Sequence, residues 1–380
     1  MTDHPPPSPA LLPAGMRDLL PPDAETEAMA LAALMEVFAS HGYGRVRPPL
    51  LEFEDSLLAG NNAALAEQTF RLMDPGTHRM MAVRPDMTPQ VARIAASRLG
   101  GAPRPLRLSY AGTCVQVSGG VLETDREVSQ AGIELVGADS AEADAEVIAV
   151  GSEALAVLGL RRISFDLTVP PLASTLITEF GLPEPDRAPL LRALDRKDGA
   201  AVQRHGGALA PVLNALLLAA GPAARALEVL RAQPLTPGAR ALADRLAAVV
   251  AAVERRAPGL RPTVDPIEFR GWRYHTGVCV TVFAAARHEE LGRGGRYVGP
   301  GGEPACGLTL RPELLLRAAP ARPTRSRLFL PFGTAAATAQ AMRAQGFGTV
   351  AALDLAEDDL AEARRLGCTH VMRNGRAEAL

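Results

Sequence analysis

The sequence has few cysteines, no long apolar run and little net charge, and each absence excludes a class of protein. Its cysteines, Cys114, Cys279, Cys306 and Cys368, stand far apart and form no Cys-x-x-Cys pair, which argues against a zinc site or a disulfide framework. No segment reaches the roughly 18 unbroken apolar residues of a membrane span. With a net charge of −2, the chain has no overall field that would attract nucleic acid or an anionic membrane. We therefore expect a cytoplasmic protein without membrane contact.

What is present indicates a globular chain with more than one part. Of the 380 residues, 47% are hydrophobic and 22% are charged, which is typical of a folded protein. The length allows one large domain with an appendage, or two or three smaller domains. The proline-rich residues 1–12 are predicted to be a disordered tail, and residues 1–10 lack the basic and apolar regions of a signal peptide.

Composition and periodicity divide the rest of the chain. Residues 13–320 mix strand and helix patterns, and within them residues 183–262 are rich in Ala, Leu and Arg and are predicted to form a helical insertion. Residues 325–380 alternate strand and helix, which predicts a small C-terminal α/β domain. The predicted fold class is therefore α+β. Within residues 13–320 the patterns predict helices at 24–40 and 141–158, a helix that starts near residue 88, a strand at 267–269 and turns through 292–302.

The polar face of one predicted strand gives the first indication of a binding site. In residues 114–137 the second strand places Gln130, Gly132 and Glu134 on one face, because side chains alternate along a strand. The opposite face is apolar and carries Ala131, Ile133 and Leu135. An unpaired amide or carboxylate is costly to bury. These polar side chains therefore either hold a ligand or form a solvated outer face, and the strand alone leaves both open.

Other local motifs also leave alternatives open. The segment GRGGRY, residues 292–297, could cradle a phosphate through its backbone N–H groups or form a turn, and it lacks the Gly-Lys-Ser/Thr ending of a phosphate-binding loop. Arg84, Arg270 and Arg296 could each bind a carboxylate or form a structural ion pair. His275 could be a base, a ligand or a core histidine. No motif has the spacing of a metal site.

Six segments together resemble histidyl-tRNA synthetase, a class II aminoacyl-tRNA synthetase, across residues 10–318. They are PAGMRDLLP (13–21), GYGRVRPPLLE (42–52), VRPDMT (83–88), FRGWRYHTG (269–277), GGRY (294–297) and ACGLTLRPELLL (305–316). The Gln-x-Gly-x-Glu pattern of residues 130–134 is similar to the end of the second class II motif. The resemblance implies an antiparallel sheet flanked by helices, with Pro49 at a dimer interface.

The resemblance also implies a binding site for free histidine. The matching positions in this chain are Asp86, Thr88, Gln130, Glu134, Arg270, Tyr274 and His275, of which His275 replaces a second tyrosine. In the family, the residue matching Asp86 holds the α-ammonium, Arg270 matches a residue near the carboxylate, and Glu134 matches one that points toward the imidazole. These roles suit the chemistry, because carboxylates accept from an ammonium or an imidazole N–H and a guanidinium donates to a carboxylate.

Two departures from the synthetase pattern remove the cations that bind ATP. Gln116 and Leu314 take the places of arginines in the second and third motifs. Adenylate formation depends on cations directed at the triphosphate, so their loss should lower the rate on the order of 10³-fold or more. The tail, residues 325–380, is also shorter than the anticodon-binding domain of the synthetase and nearly neutral, which predicts that tRNA is not a partner.

These departures make the chain similar, over almost its full length, to the regulatory subunits of ATP phosphoribosyltransferase. That resemblance implies a subunit without catalytic residues, metal or cofactor, which works with the short-form catalytic subunit at the first step of histidine biosynthesis. It also implies a hetero-oligomer, octameric and built on dimers of this chain, in which histidine is the feedback inhibitor. Whether histidine binds the synthetase-like pocket or the subunit interface stays open, and the residues named above assume the pocket.

Two other functions are compatible with the residues. The chain could be a degenerate synthetase paralogue that activates an amino acid for an acceptor other than tRNA, with an arginine such as Arg311 replacing the lost cations. Histidine-dependent ATP–pyrophosphate exchange would reveal that enzyme. The chain could also be a free-standing histidine sensor bound to an unrelated partner, which co-purification would identify.

Overall fold

The fold, obtained as a computed structural model, divides into two compact units, Met1–Pro320 and Ala321–Leu380. The structure describes residues 11–59, 65–118, 125–268, 275–284, 290–320 and 325–380. Most of the tail predicted for residues 1–12 therefore lies outside the described residues. Within the described ranges, no helix has both the length and the apolar character needed to cross a membrane.

The larger unit contains a nine-stranded sheet, a three-stranded sheet and the helices around them. Its strands are β1 Gly44–Arg45, β2 Leu51–Phe53, β3 Arg71–Met73, β4 Met80–Val83, β5 Leu106–Val115, β6 Glu127–Val136, β7 Ile163–Thr168, β8 Gly221–Pro222, β9 Thr263–Asp265, β10 His275–Ala284, β11 Glu290–Val298 and β12 Pro304–Leu310. Its helices are α1 Asp23–Ser40, α2 Glu54–Leu57, α3 Thr88–Ala96, α4 Ala141–Val157, α5 Pro171–Glu179, α6 Glu184–Asp195, α7 Gly199–His205, α8 Ala210–Leu217, α9 Ala223–Ala232, α10 Pro237–Arg256 and α11 Pro312–Ala318.

The large sheet has the strand order β1-β5-β6-β12-β11-β10-β7-β9-β8, and its middle strands are antiparallel. One face of β6 carries Ala131, Ile133 and Leu135, which belong to the main hydrophobic core with residues of α1 and α4. The other face packs on α3 through a second apolar cluster that includes Met87 and Val91. The alternation expected for this strand is confirmed, and its polar face is turned toward α3.

Helices fill the stretch from α6 to α10, interrupted by turns and by the two-residue strand β8. Helix α10 packs along α4. Arg245 of α10 pairs with Asp144 of α4 at 2.9 Å, and Asp144 also pairs with Arg296 of β11 at 2.7 Å. This network joins α10, α4 and the sheet, and because Asp144 and Arg296 are buried, solvent screens the ion pair between α4 and the sheet very little.

Two expectations about local structure are wrong. The strand expected at 267–269 is replaced by β9, since Asp265 Oδ1 accepts a hydrogen bond from the Ile267 N–H at 3.3 Å and turns the chain there. Residue 269 itself lies outside the described residues. Residues 292–297 form no turn and lie inside β11. Glycine is needed there because strands approach closely, and a Cβ on Gly294 would lie 2.0 Å from the Gly307 carbonyl oxygen.

The smaller unit, taken by itself, is built on a four-stranded sheet. Its elements are β13 Arg327–Leu330, α12 Ala336–Ala344, β14 Gly348–Ala351, α13 Asp359–Arg365, β15 His370–Arg373 and β16 Arg376–Ala379. The strand order is β14-β13-β15-β16; β13 is parallel to β14 and β15, and β16 is antiparallel to β15. The sequence patterns did not predict β16. It forms because Asn374 and Gly375 both adopt positive φ, 49° and 74°, and make a two-residue hairpin turn.

Candidate functional site

The candidate site lies on the face of β5, β6, β11 and β12 that is turned toward α3. Tyr110 of β5 lies opposite Gly132 of β6, and Gly307 of β12 lies opposite Glu134. A Cβ added to Gly132 would lie 2.4 Å from the Tyr110 hydroxyl oxygen, and one added to Gly307 would lie 2.0 Å from Glu134 Oε2. The two glycines therefore make the space in which a tyrosine and a glutamate cross the sheet surface.

Glu134 is the centre of this site, and only 1% of it is exposed. Its Oε1 accepts hydrogen bonds from the Thr88 hydroxyl at 2.9 Å and the Tyr110 hydroxyl at 3.3 Å, and its Oε2 accepts one from the Tyr297 hydroxyl at 2.9 Å. Burial raises the pKa of Glu134 to about 8, although these hydrogen bonds favour the ionised form. At neutral pH the carboxyl is therefore mostly protonated. The three hydroxyl groups around it can each donate or accept, so they can bond both the protonated and the ionised carboxyl.

Gln130 holds the loop that starts α3. Its Nε2 donates to Asp86 Oδ2 at 3.3 Å, and its Oε1 accepts from the Met87 N–H at 3.1 Å. Asp86 Oδ1 in turn accepts from the Thr88 N–H at 2.7 Å, so the helix start expected near Asp86 and Thr88 is confirmed. Gln130 is 6% exposed. The interpretation of this strand face as a solvated outer surface is thus wrong, because α3 covers it.

His275 faces the same glycine-lined surface from β10. It lies opposite Tyr297, and its ring carbon Cδ2 is 2.9 Å from the position that a Cβ on Gly295 would occupy. Gly295 is itself paired with Gly307. Burial and the nearby guanidinium of Arg293 lower the pKa of His275 to about 4, so its imidazole is neutral at physiological pH.

The structure therefore brings five of the seven predicted histidine-site residues to one sheet face. The other two, Arg270 and Tyr274, lie outside the described residues.

Two of the arginines singled out as possible carboxylate binders have structural roles. Arg84 donates to the carbonyl oxygens of Thr113 at 2.7 Å and Pro48 at 3.1 Å. Arg296 donates to Asp144 Oδ1 at 2.9 Å and to the Ala138 carbonyl at 2.9 Å. Arg296 therefore forms the structural ion pair that was one of its two alternatives, whereas Arg84 bonds backbone carbonyls and forms no ion pair among the described residues.

The two positions at which the resemblance to the synthetase predicts ATP-binding arginines carry no charge. Leu314, on α11, is 2% exposed and belongs to the main hydrophobic core. Gln116 donates from Nε2 to the Pro85 carbonyl oxygen at 3.3 Å. A cation at position 314 would have to enter the apolar core, which is strongly unfavourable.

Pro49, which the resemblance assigns to a dimer interface, is exposed, and its carbonyl accepts a hydrogen bond from Gln90 Nε2 at 2.8 Å.

Sequence reasoning missed three hydroxyl groups that complete the site, those of Tyr110, Tyr297 and Thr309. The Tyr110 and Thr309 hydroxyls lie 2.7 Å apart, and Tyr110 and Tyr297 both reach Glu134. The sequence did contain a signal for Tyr110. If the two strands on either side of the loop in residues 114–137 pair as a hairpin, Tyr110 lies opposite Gly132, as it does in the structure.

The described residues include no group of three or more His, Cys, Asp and Glu side chains arranged to hold a metal ion. All four cysteines are buried, free thiols.

The fold and this site define a protein of the class II histidyl-tRNA synthetase type. The family model of histidyl-tRNA synthetase matches residues 15–315. A solved structure from Bacillus halodurans, described as an ATP phosphoribosyltransferase regulatory subunit/histidyl-tRNA synthetase, has a TM-score of 0.81 and 26% identity, covering 94% of this chain and 97% of that one. A histidyl-tRNA synthetase from Nostoc has a TM-score of 0.79 at 17% identity, covers 95% of this chain and 90% of that one, and supports the fold alone. The predicted α+β class II fold is confirmed.

Two relatives narrow the class further. A Gluconobacter oxydans protein named ATP phosphoribosyltransferase regulatory subunit is 58% identical over 98% of each chain. A Paramagnetospirillum magneticum protein of the same name is 54% identical over 95% of each chain. The chain belongs to the family of ATP phosphoribosyltransferase regulatory subunits, so the family resemblance stated from the sequence is confirmed.

Proposed function

We propose that this chain is the non-catalytic regulatory subunit of ATP phosphoribosyltransferase and that it acts with the short-form catalytic subunit at the first step of histidine biosynthesis. The relatives at 58% and 54% identity carry the name of that subunit, which supports the regulatory role. In this proposal the chain raises the rate of its partner and makes that rate sensitive to histidine.

The observation that carries the non-catalytic part of the proposal is the environment of Leu314. A leucine that is 2% exposed stands where the synthetase family has an ATP-binding arginine, and Gln116 stands at the other such position. Stabilising the charge of a reacting triphosphate requires cations aimed at it. Neither side chain can supply one, so we propose that the synthetase-like fold has kept a ligand site and lost adenylate formation.

The proposed ligand of that site is free histidine. Asp86 and Thr88 would receive its α-ammonium end, and Glu134 would face its imidazole across the glycine-lined surface that His275 also faces. The protonated Glu134 carboxyl can donate to an imidazole nitrogen or transfer its proton to form an ion pair. Arg270 and Tyr274, which the resemblance assigns to the histidine carboxylate and the pocket, would complete the site.

Inhibition then follows from a difference in affinity. If histidine binds more tightly to the inhibited arrangement of the complex than to the active one, it shifts the population toward inhibition. Couplings of this type are about 1–3 kcal/mol, which corresponds to roughly 5- to 150-fold. We propose that the complex is a hetero-octamer built on dimers of this chain, with Pro49 at the dimer contact, and that neither tRNA nor a cofactor takes part.

The test is the phosphoribosyltransferase rate of the short-form catalytic subunit from the same genome, with and without this chain and with and without millimolar histidine. We expect the chain to raise the rate and to confer inhibition. Glu134→Gln should keep the activation. It should raise the histidine concentration needed for inhibition by about 10- to 100-fold, because the variant loses a charge-assisted hydrogen bond to the imidazole. Glu127→Gln, an exposed glutamate on the same strand, is the matched control and should change neither.

If the chain alters neither the rate nor its sensitivity to histidine, the proposal is wrong. Histidine-dependent ATP–pyrophosphate exchange by the chain alone would then favour the degenerate synthetase paralogue, and its absence would favour the histidine sensor with another partner.

A further inference from the structure

One edge of the smaller unit brings three loops together. Strands β13, β14 and β15 are parallel, so their carboxyl ends meet at the same edge of the sheet, and the turn to β16 lies there too. We call this edge the carboxyl edge and define it by residues 331–335, 352–358 and 373–376. None of these segments is used by the candidate site of the larger unit.

Large apolar side chains are exposed on the carboxyl edge, Phe332 after β13 and both Leu353 and Leu355 after the outer strand β14. Phe332 is 52% exposed, Leu353 88% and Leu355 83%. Phe332 sits in a tight turn in which Thr334 donates to the Pro331 carbonyl from its hydroxyl at 2.6 Å and from its N–H at 3.1 Å. Several large apolar side chains exposed along one edge of a sheet indicate an interaction surface.

Phe332 lies between two flanks of opposite charge, and Leu353 and Leu355 belong to the segment of the acidic flank. Asp354, Glu357 and Asp358 follow β14 and are exposed, on one side of Phe332 in the strand order β14-β13-β15-β16. None of the three forms an ion pair with another residue of the described chain.

On the other side, Arg373 and Arg376 lie directly opposite each other across the β15–β16 hairpin and are exposed. Like charges in that position repel, and no carboxylate among the described residues pairs with either arginine. The sheet edge is therefore negative at the β14 end, where Leu353 and Leu355 are also exposed, apolar at Phe332 and positive at the β15–β16 end.

We propose that the carboxyl edge binds the carboxyl edge of a second copy of this chain around a two-fold axis near Phe332. Rotation by half a turn sets the acidic flank of each copy against the arginine flank of the other and brings the two Phe332 side chains together. Both arginines thereby gain the carboxylate partners that they lack among the described residues. The acidic flank would repel a nucleic acid, so a second copy fits this surface better than an RNA.

The contact is weak by itself. Four strands about 4.8 Å apart make an edge on the order of 15 Å wide, which is small beside the roughly 800 Å² that each partner buries in a standard interface. Its effect is greatest between chains that another contact already holds near each other, because the effective concentration is then high. Exposed charge pairs are also screened by salt, so the association should weaken as ionic strength rises.

Sedimentation velocity of the full-length chain over a range of concentrations tests the proposal by charge reversal. One variant carries Asp354→Arg and Glu357→Arg, and the other carries Arg373→Glu and Arg376→Glu. We expect each variant alone to self-associate at least about tenfold more weakly than the unaltered chain, because its two flanks then repel. An equimolar mixture of the two variants should recover the association, since one copy then offers only positive flanks and the other only negative ones.

The matched control reverses Arg325 and Arg327 to glutamate, an equal charge change at the opposite edge of the same sheet, and should leave the association unchanged. Phe332→Ser should weaken it in every combination. The proposal is overturned if the single variants associate like the unaltered chain or if mixing them restores nothing. Any association common to all variants comes from another surface. The histidine-sensitive rate assay does not involve these residues, so the two proposals fail independently.

Discussion

Replacing Glu134 with glutamine should change how the stability of the protein depends on pH. The carboxyl is almost fully buried, and burial raises its pKa to about 8 from an ordinary value of 4.5. The folded protein therefore keeps a proton at this position over a pH range in which the unfolded chain has released it. Glutamine has nearly the same shape, can bond the same hydroxyl groups and cannot titrate, so Glu134→Gln isolates the contribution of this proton.

The sign and the size follow from proton linkage. Between the unfolded and folded pKa values the folded state binds more protons, so the free energy of unfolding falls as pH rises. Compared with Glu134→Gln, the unaltered protein should lose about 1.4 kcal/mol of its free energy of unfolding per pH unit. The total loss should be about 4 kcal/mol between about pH 5 and about pH 8. His275, whose pKa is lowered to about 4, acts in the opposite direction as pH rises from there through its ordinary value of 6.5, but it is present in both proteins and cancels in the difference.

Urea unfolding of both proteins across this pH range measures the effect, followed by circular dichroism and by the fluorescence of Trp272, the chain's one tryptophan. The unaltered protein should lose stability relative to the variant at each step toward higher pH and should stop losing it above the folded pKa. Glu127→Gln, on the exposed part of the same strand, should run parallel to the unaltered protein. Parallel curves for Glu134→Gln as well would refute the reasoning, because Glu134 would then be ionised in the folded state.

Two further substitutions test the packing described above. Gly132→Ala would place a methyl group 2.4 Å from the Tyr110 hydroxyl and 2.7 Å from the backbone oxygen of Leu308, so urea unfolding should show a loss of about 1–3 kcal/mol. Gly101→Ala meets nothing within 4 Å and is the control. Leu314→Arg should destabilise the protein by at least about 3 kcal/mol, while Leu314→Met should cost less than about 1.5 kcal/mol. A stable Leu314→Arg variant that catalysed ATP–pyrophosphate exchange would contradict the account of this position.

Part of the site could be read from the sequence because it depends on local rules. Side chains alternate along a strand, so Gln130 and Glu134 had to share a face once residues 127–136 formed β6. Asp86 two residues before Thr88 is a local helix-start pattern, and the structure has that hydrogen bond. The order of several short motifs along the chain was enough to predict the class of fold.

The remainder depended on tertiary structure, because strand register is set between segments far apart in the chain. Register brings Tyr297 to Glu134, and the packing of α11 against α1 and the sheet buries Leu314 among core side chains. Register also turns residues 292–297 from an expected turn into a strand, where glycines admit the side chains of neighbouring strands. The opposed charges of the carboxyl edge likewise lie apart in sequence and share one edge of the sheet only because parallel strands end together. Local sequence therefore determined which chemical groups are present, and the packing of distant segments decided which of them meet.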